Sequence, residues 1–177
     1  MCGICGEVRF DGGSPSGAAI AIMADGLAPR GPDASGVVVR GNVGLGHRRL
    51  RILDLSDKSQ QPMVDADLGL SLVFNGCIYN FRELRAELEE KGYRFFSDGD
   101  TEVILKAWHA WGDDCVSRFH GMFAFVLHER DSGRLVMARD RFGIKPAARC
   151  ASPPACRPSS RRAASIPPSM SRRCTTT

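Results

Sequence analysis

Patterned sequence ends at Pro146, and that boundary decides how much of the 177-residue chain can build a core. From Ala147 onward the chain reads AARCASPPACRPSSRRAASIPPSMSRRCTTT. This stretch is made almost wholly of Ala, Pro, Ser, Arg, Cys and Thr. It follows neither the helical nor the strand period and has no face to bury. The expectation is a folded unit over residues 1–146 and a disordered tail over residues 147–177. The change at Lys145-Pro146 is abrupt, and it fits an out-of-frame translation of a GC-rich gene better than a natural linker.

The same boundary explains the charge. The whole chain carries 24 basic and 20 acidic side chains, a net of +4. Six of those arginines and none of the acids lie beyond Pro146, so the first 146 residues hold 18 against 20, a net of −2. The excess therefore does not mark a nucleic-acid-binding face on the folded part. No apolar run is long enough to cross a bilayer, and no basic segment followed by an apolar stretch opens the chain, so a cytoplasmic protein is expected. Seven cysteines, an odd number, argue against a disulfide framework in such a chain.

Before the boundary the pattern is dense. Ile4 to Phe10 alternates as a strand, and Ser16 to Leu27 has helical spacing. Ser35 to Arg40 and Val43 to Leu53 form a strand pair turning at Gly41-Asn42, and Leu70 to Asn75 is a buried strand. Asn80, with Glu83 three residues on, caps a helix that Gly92 closes near Lys91. A second helix runs from near Asp100 to Trp111. Met122 to Glu129 and Arg134 to Arg139 make a hairpin around Asp131-Ser132-Gly133. Strands and helices come in clusters rather than in strict alternation, which predicts an α+β architecture of layered antiparallel sheets with helices outside.

The chain opens Met1-Cys2-Gly3-Ile4-Cys5. A zinc site would need a second spaced pair of ligands, and none exists: Cys77 and Cys115 are isolated and His47, His109, His120 and His128 are scattered. A redox pair would follow a strand and open a helix, whereas strand-like residues follow this one. Cys5 reads as a small buried hydrophobe. Cys2 differs by position. Removal of Met1 gives it a free α-amine, a group that titrates near pH ~8. That amine can act as general base for its own thiol, so one residue supplies nucleophile and base.

Six motifs in order resemble the class II glutamine amidotransferase domain, in particular the glutaminase half of asparagine synthetases. They are Met1-Cys2-Gly3-Ile4-Cys5-Gly6, Arg30-Gly31-Pro32-Asp33, Gly46-His47-Arg48-Arg49-Leu50, Asn75-Gly76-Cys77-Ile78-Tyr79-Asn80, Gly99-Asp100-Thr101-Glu102, and Arg139-Asp140-Arg141-Phe142-Gly143-Ile144-Lys145-Pro146. The resemblance implies the four-layer αββα sandwich of N-terminal nucleophile hydrolases. It implies that Cys2 attacks the side-chain amide of glutamine and that Asn75 and the Gly76 N–H form the oxyanion hole. Arg49 would clamp the α-carboxylate and Asp100 the α-ammonium, with Arg30 and Gly99 shaping the pocket. Without the family, Arg49 is a surface charge on the face of Arg51, Asp100 is a helix cap, and Asn75-Gly76 is a turn that fails to reverse.

Two departures bear on function. Asparagine synthetases usually have glutamate where Cys77 stands, and Asn75-Gly76-Cys77-Ile78 is similar to the N-acetylglutaminylglutamine amidotransferase branch. The relatives also continue past the Ile-Lys-Pro motif into a synthetase domain whose Ser-Gly-Gly-x-Asp-Ser phosphate loop is absent from this sequence. Glutamine is thus the expected ligand, with no metal and no cofactor in this unit. ATP and Mg²⁺ would belong to a synthetase domain that is missing or supplied in trans. A homodimer stays open.

Overall fold

In the computed structural model, residues 1–146 are described in full, together with the backbone of three later segments, 149–151, 164–166 and 172–175. Among them are ten strands in two five-stranded antiparallel sheets. The first sheet is built on β1 (Gly3–Val8), β2 (Ala34–Arg40) and β3 (Val43–Arg49). The second is built on β4 (Met63–Asp65), β5 (Leu70–Ile78), β6 (Gly121–Glu129) and β7 (Leu135–Arg139). Helix α1 (Gly17–Asp25) precedes β2, α2 (Phe81–Glu90) and α3 (Asp100–Trp111) follow β5, and the short α4 (Cys115–Arg118) leads into β6.

The two-residue period of the strands sorts side chains into three cores. Ile4, Val43 and Leu45 meet Val73, Ala124, Val126 and Leu135 between the sheets. Cys5 on the opposite face of β1 packs with Ile20 and Ala24 of α1. Leu72, Phe74, Phe125 and Leu127 turn the other way, onto Leu84 and Leu88 of α2 and Ile104 and Trp108 of α3. The order is therefore helix, sheet, sheet, helices. Glycine sets one spacing: a Cβ on Gly46 would lie 2.7 Å from Cys5 Sγ and 2.8 Å from Ile20 Cγ2, so α1 rests directly on β3.

Three local expectations are corrected. The strand expected to reach Leu53 stops at Arg49. There the Arg49 guanidinium donates to the carbonyls of Asp54 and Ser56, and the Arg51 N–H to Asp33 Oδ2, which folds the following loop back. Asn80 does precede α2 but makes no capping bond. Its amide donates to the Arg118 carbonyl at 3.0 Å and accepts the His120 N–H at 2.9 Å, tying α2 to the entry of β6. Asp100 is the first residue of α3 and not its cap, a place taken by Gly99.

Within the stretch expected to be disordered, β8 (Arg149–Ala151), β9 (Ala164–Ile166) and β10 (Arg172–Thr175) are paired as strands. β10 lies on the free edge of β1 with β8 beyond it, and β9 lies on β7. The open backbone edges of β1 and β7 provide the partners, since the sequence there has no strand pattern. The rest of residues 147–177 lie outside the described residues.

Candidate active site

Alternation carries three predicted side chains to one end of the sandwich interior. Arg49 has the parity of Leu45 on β3, Asn75 that of Val73 on β5, and Cys2 continues the parity of Ile4. Cys2, Arg30 and Asn75 line one recess, with Gly3, Ile4, Leu27 and Pro146. Arg49, Gly76, Gly99 and Asp100 lie outside that lining; Gly76 directly follows Asn75, and Asp100 reaches the same strand through the Ile78 N–H.

The Leu50 N–H donates to Cys2 Sγ at 3.4 Å, and the Arg30 Nε–H donates to the Cys2 carbonyl at 3.4 Å. The first contact fixes the Cys2 sulfur, and the second places the Arg30 guanidinium at the Cys2 backbone. The Cys2 thiol in turn lies 3.7 Å from the Leu50 carbonyl oxygen, to which it can donate, so Leu50 holds the sulfur from both its N–H and its C=O. In the structure Met1 precedes Cys2, and Lys145 Nζ reaches Met1 Sδ at 3.3 Å. The Cys2 nitrogen is therefore still an amide, and its function as a base requires removal of Met1.

Asn75 is buried, yet its side chain makes no hydrogen bond among the described residues. Asn75 lines the recess, where its amide is available as a donor. Gly76 supplies a second donor by position. The Phe74 N–H goes to Gln61 Oε1 at 2.7 Å and the Ile78 N–H to Asp100 Oδ2 at 3.0 Å. Alternate residues of β5 thus turn their N–H groups away from β6, and Gly76 lies between those two. A Cβ on Gly76 would fall 2.3 Å from the Met122 carbonyl oxygen, so only glycine lets β5 run this close to β6.

Asp100 is buried at the start of α3. Burial pushes its carboxyl up to about 6, partly offset by the hydrogen bond from Ile78. An α-ammonium beside it would restore the charge that burial opposes. Arg49 is buried as well, and burial and the nearby Arg51 lower its pKa. Its bonds to the carbonyls of Asp54 and Ser56 engage two of the five guanidinium N–H groups. The remaining donors suit a carboxylate.

Asp54, Lys145 and Pro146 complete the surroundings. Asp54 accepts from Ser59 Oγ at 2.5 Å, the Ser56 N–H at 2.8 Å and the Asp98 N–H at 3.1 Å. Burial opposes its ionisation, but these donors hold it well below the usual carboxylate range. It staples the loop after β3 to the loop before α3, beside Gly99, whose Cβ would meet Ser59 Oγ at 3.0 Å. The Asp54-Leu55-Ser56 spacing of an Asx turn was its only sequence signal. Asp140 accepts the N–H groups of Phe142, Ile144 and Lys145, which sets Lys145 and Pro146 at the recess. Cys77 is half-buried between Asp100 and Lys145; burial and the Asp100 charge push its thiol up and Lys145 pulls it down.

Among the described residues no helix is long and apolar enough to cross a membrane. In structure the chain is similar to the glutamine phosphoribosylpyrophosphate amidotransferase of Bacillus subtilis. The TM-score is 0.63 at 21% identity, over 82% of this chain and 38% of that one, a likeness of fold. In sequence it is 45% identical over 120 residues to asparagine synthetase (glutamine-hydrolyzing) 1 of Bacillus subtilis strain 168, covering 68% of this chain and 19% of the relative. It is 40% identical over 164 residues to the putative asparagine synthetase (glutamine-hydrolyzing) 2 of Methanocaldococcus jannaschii, covering 82% and 31%. The chain thus spans less than a third of the length of either relative. The glutamine amidotransferase domain family matches residues 1–160, running past Pro146. The chain belongs to the glutamine amidotransferase domain family.

Proposed function

We propose that this domain hydrolyses glutamine to glutamate and ammonia through a thioester on Cys2. The observation that carries the reading is the convergence on one recess of Cys2, Arg30 and Asn75, whose amide has no hydrogen-bond partner among the described residues. After Met1 is removed, the α-amine of Cys2 takes the thiol proton and Sγ attacks the glutamine Cδ. The negative oxygen that forms is met by the Asn75 amide and the Gly76 N–H. The C–N bond then breaks, the amine returns its proton to the leaving nitrogen, and ammonia departs. Water adds to the thioester, and glutamate leaves as the thiol is restored. Arg49 and Asp100 hold the two charges of the amino acid, so the amide meets the thiol in one orientation.

The reading places the catalytic unit in residues 1–146, in the asparagine-synthetase-like branch of the family. The Asn75-Gly76-Cys77-Ile78 run supports the N-acetylglutaminylglutamine amidotransferase relatives within it. Use of the ammonia on an acceptor, with ATP and Mg²⁺, falls to a synthetase unit outside these residues. Glutamate and ammonia release in equal amounts from the folded, Met1-processed chain tests the proposal. Absence of both products from protein with a cooperative melt and a free N-terminal Cys2 would reject it.

A further inference from the structure

One fully buried side chain near the site has no part in the chemistry above. His47 on β3 points between the sheets, and its Nε2 lies 3.1 Å from the carbonyl oxygen of Phe74. That oxygen can only accept, so Nε2 carries the hydrogen and Nδ1 is left as an acceptor. Nδ1 has no partner among the described residues. Burial holds the ring neutral, with a pKa lowered to about 4.

The Phe74 N–H is held too, by Gln61 Oε1 at 2.7 Å, while the other end of that amide donates to Thr101 Oγ1 at 3.4 Å. Continuing the β4–β5 register by two residues brings Gln61 opposite Phe74, but β4 starts only at Met63. Side chains therefore do what a neighbouring strand would do. They do it at Phe74, the residue before the proposed oxyanion hole: His47 holds its C=O, in the peptide shared with Asn75, and Gln61 its N–H, in the peptide shared with Val73. His47 comes from the first sheet, and Gln61 leans on the residue next to Asp100. The clamp ties the hole to both other parts of the site.

We propose that His47 and Gln61 are positioning residues, which lock the backbone of Phe74 at both its C=O and its N–H so that the Asn75 amide and the Gly76 N–H are preset for the developing oxyanion. This rests on the glutaminase reading. Donors aimed in advance need no reorganisation at the moment of reaction, and a misplacement of about 1 Å can cost on the order of 10²-fold. Glutamine itself is held by its α-groups, so the loss belongs in kcat and not in KM.

The test uses the full 177-residue chain with Met1 removed, as wild type, His47→Leu, His47→Gln and Gln61→Leu. The readouts are kcat and KM for glutamine, melting temperature, and affinity for glutamate γ-semialdehyde. That aldehyde takes up the Cys2 thiol across its carbonyl: an S–C bond forms, the π pair moves to oxygen, and the oxygen enters the hole. His47→Leu is expected to lower kcat and aldehyde affinity together by about 10–100-fold, with KM changed by less than about twofold. His47→Gln, which returns a donor near the Nε2 position, should recover most of the loss. Gln61→Leu should move the same two readouts in the same direction. The inference is overturned if a folded His47→Leu protein matches wild type, if His47→Gln is no better than His47→Leu, or if every variant simply fails to fold. Wild type that neither turns over glutamine nor takes up the aldehyde rejects the glutaminase reading, and the inference with it. Active wild type beside unaffected variants rejects the inference alone.

Discussion

At the residue scale, the account turns on two groups whose surroundings differ from their sequence context. Asp100 looks like a helix cap, yet it accepts the Ile78 N–H from β5 and is buried enough to hold a proton up to about pH 6. Its carboxylate must be charged to meet an α-ammonium. KM for glutamine should therefore rise as pH falls through 6, approaching about tenfold per unit below it. In Asp100→Asn, KM should be high and flat from about pH 5 to 8. The stability linkage runs the other way. The native carboxyl keeps its proton more tightly than the unfolded chain does, so stability falls as pH rises from about 4 to 6. Relieving that cost, about 2–3 kcal/mol for a shift of this size, means Asp100→Asn should melt no lower than wild type at pH 7. Asn75 is the second group. Its amide serves no fold contact among the described residues, so Asn75→Ala should leave the melting temperature nearly unchanged and lower kcat by about 10²–10³.

At the scale of elements, the sheets are close-fitting pieces rather than interchangeable strands. Gly46 on β3 has Cys5 and Ile20 against it, so Gly46→Val should lift α1 from the first sheet and cost about 1–3 kcal/mol in denaturant unfolding. Much of this level was legible in sequence. The hairpin of β6 and β7 followed from alternation around Asp131-Ser132-Gly133, and α3 begins and ends where its spacing put it. What sequence could not show was set by partners far along the chain. Arg49 reads alone as a surface charge, but the loop at Asp54 and Ser56 wraps its guanidinium. Asn80 reads as a helix cap, but its amide is taken by residues 118 and 120. The position of Cys2 behind Met1 suggested a self-activated nucleophile, but the expected roles of Asn75, Gly76 and Asp100 came from resemblance to a family, because no local pattern marks an oxyanion donor or a substrate carboxylate. The clamp on Phe74 had no local signal, since His47 and Gln61 meet it only after three elements pack.

At the scale of the molecule, two sheets share an interior whose inner faces are apolar along most of their length and polar at one end. The apolar part supports the polar part. Leu72, fully buried on the far side of the second sheet, should cost about 2–5 kcal/mol as Leu72→Ala and weaken glutamine turnover only through the fraction unfolded. The polar end gathers the Cys2 thiol from the N-terminus, the Asn75 amide from the facing sheet and the Asp100 carboxyl from the head of α3. The most direct measurement is the intact mass of the purified chain before and after exposure to 6-diazo-5-oxo-norleucine, a glutamine analogue that alkylates a poised thiol. The account predicts loss of Met1, then a single adduct that maps to Cys2 and is blocked by excess glutamine, with Cys5, Cys77 and Cys115 unlabelled. A folded chain with Met1 gone and Cys2 unlabelled would contradict it.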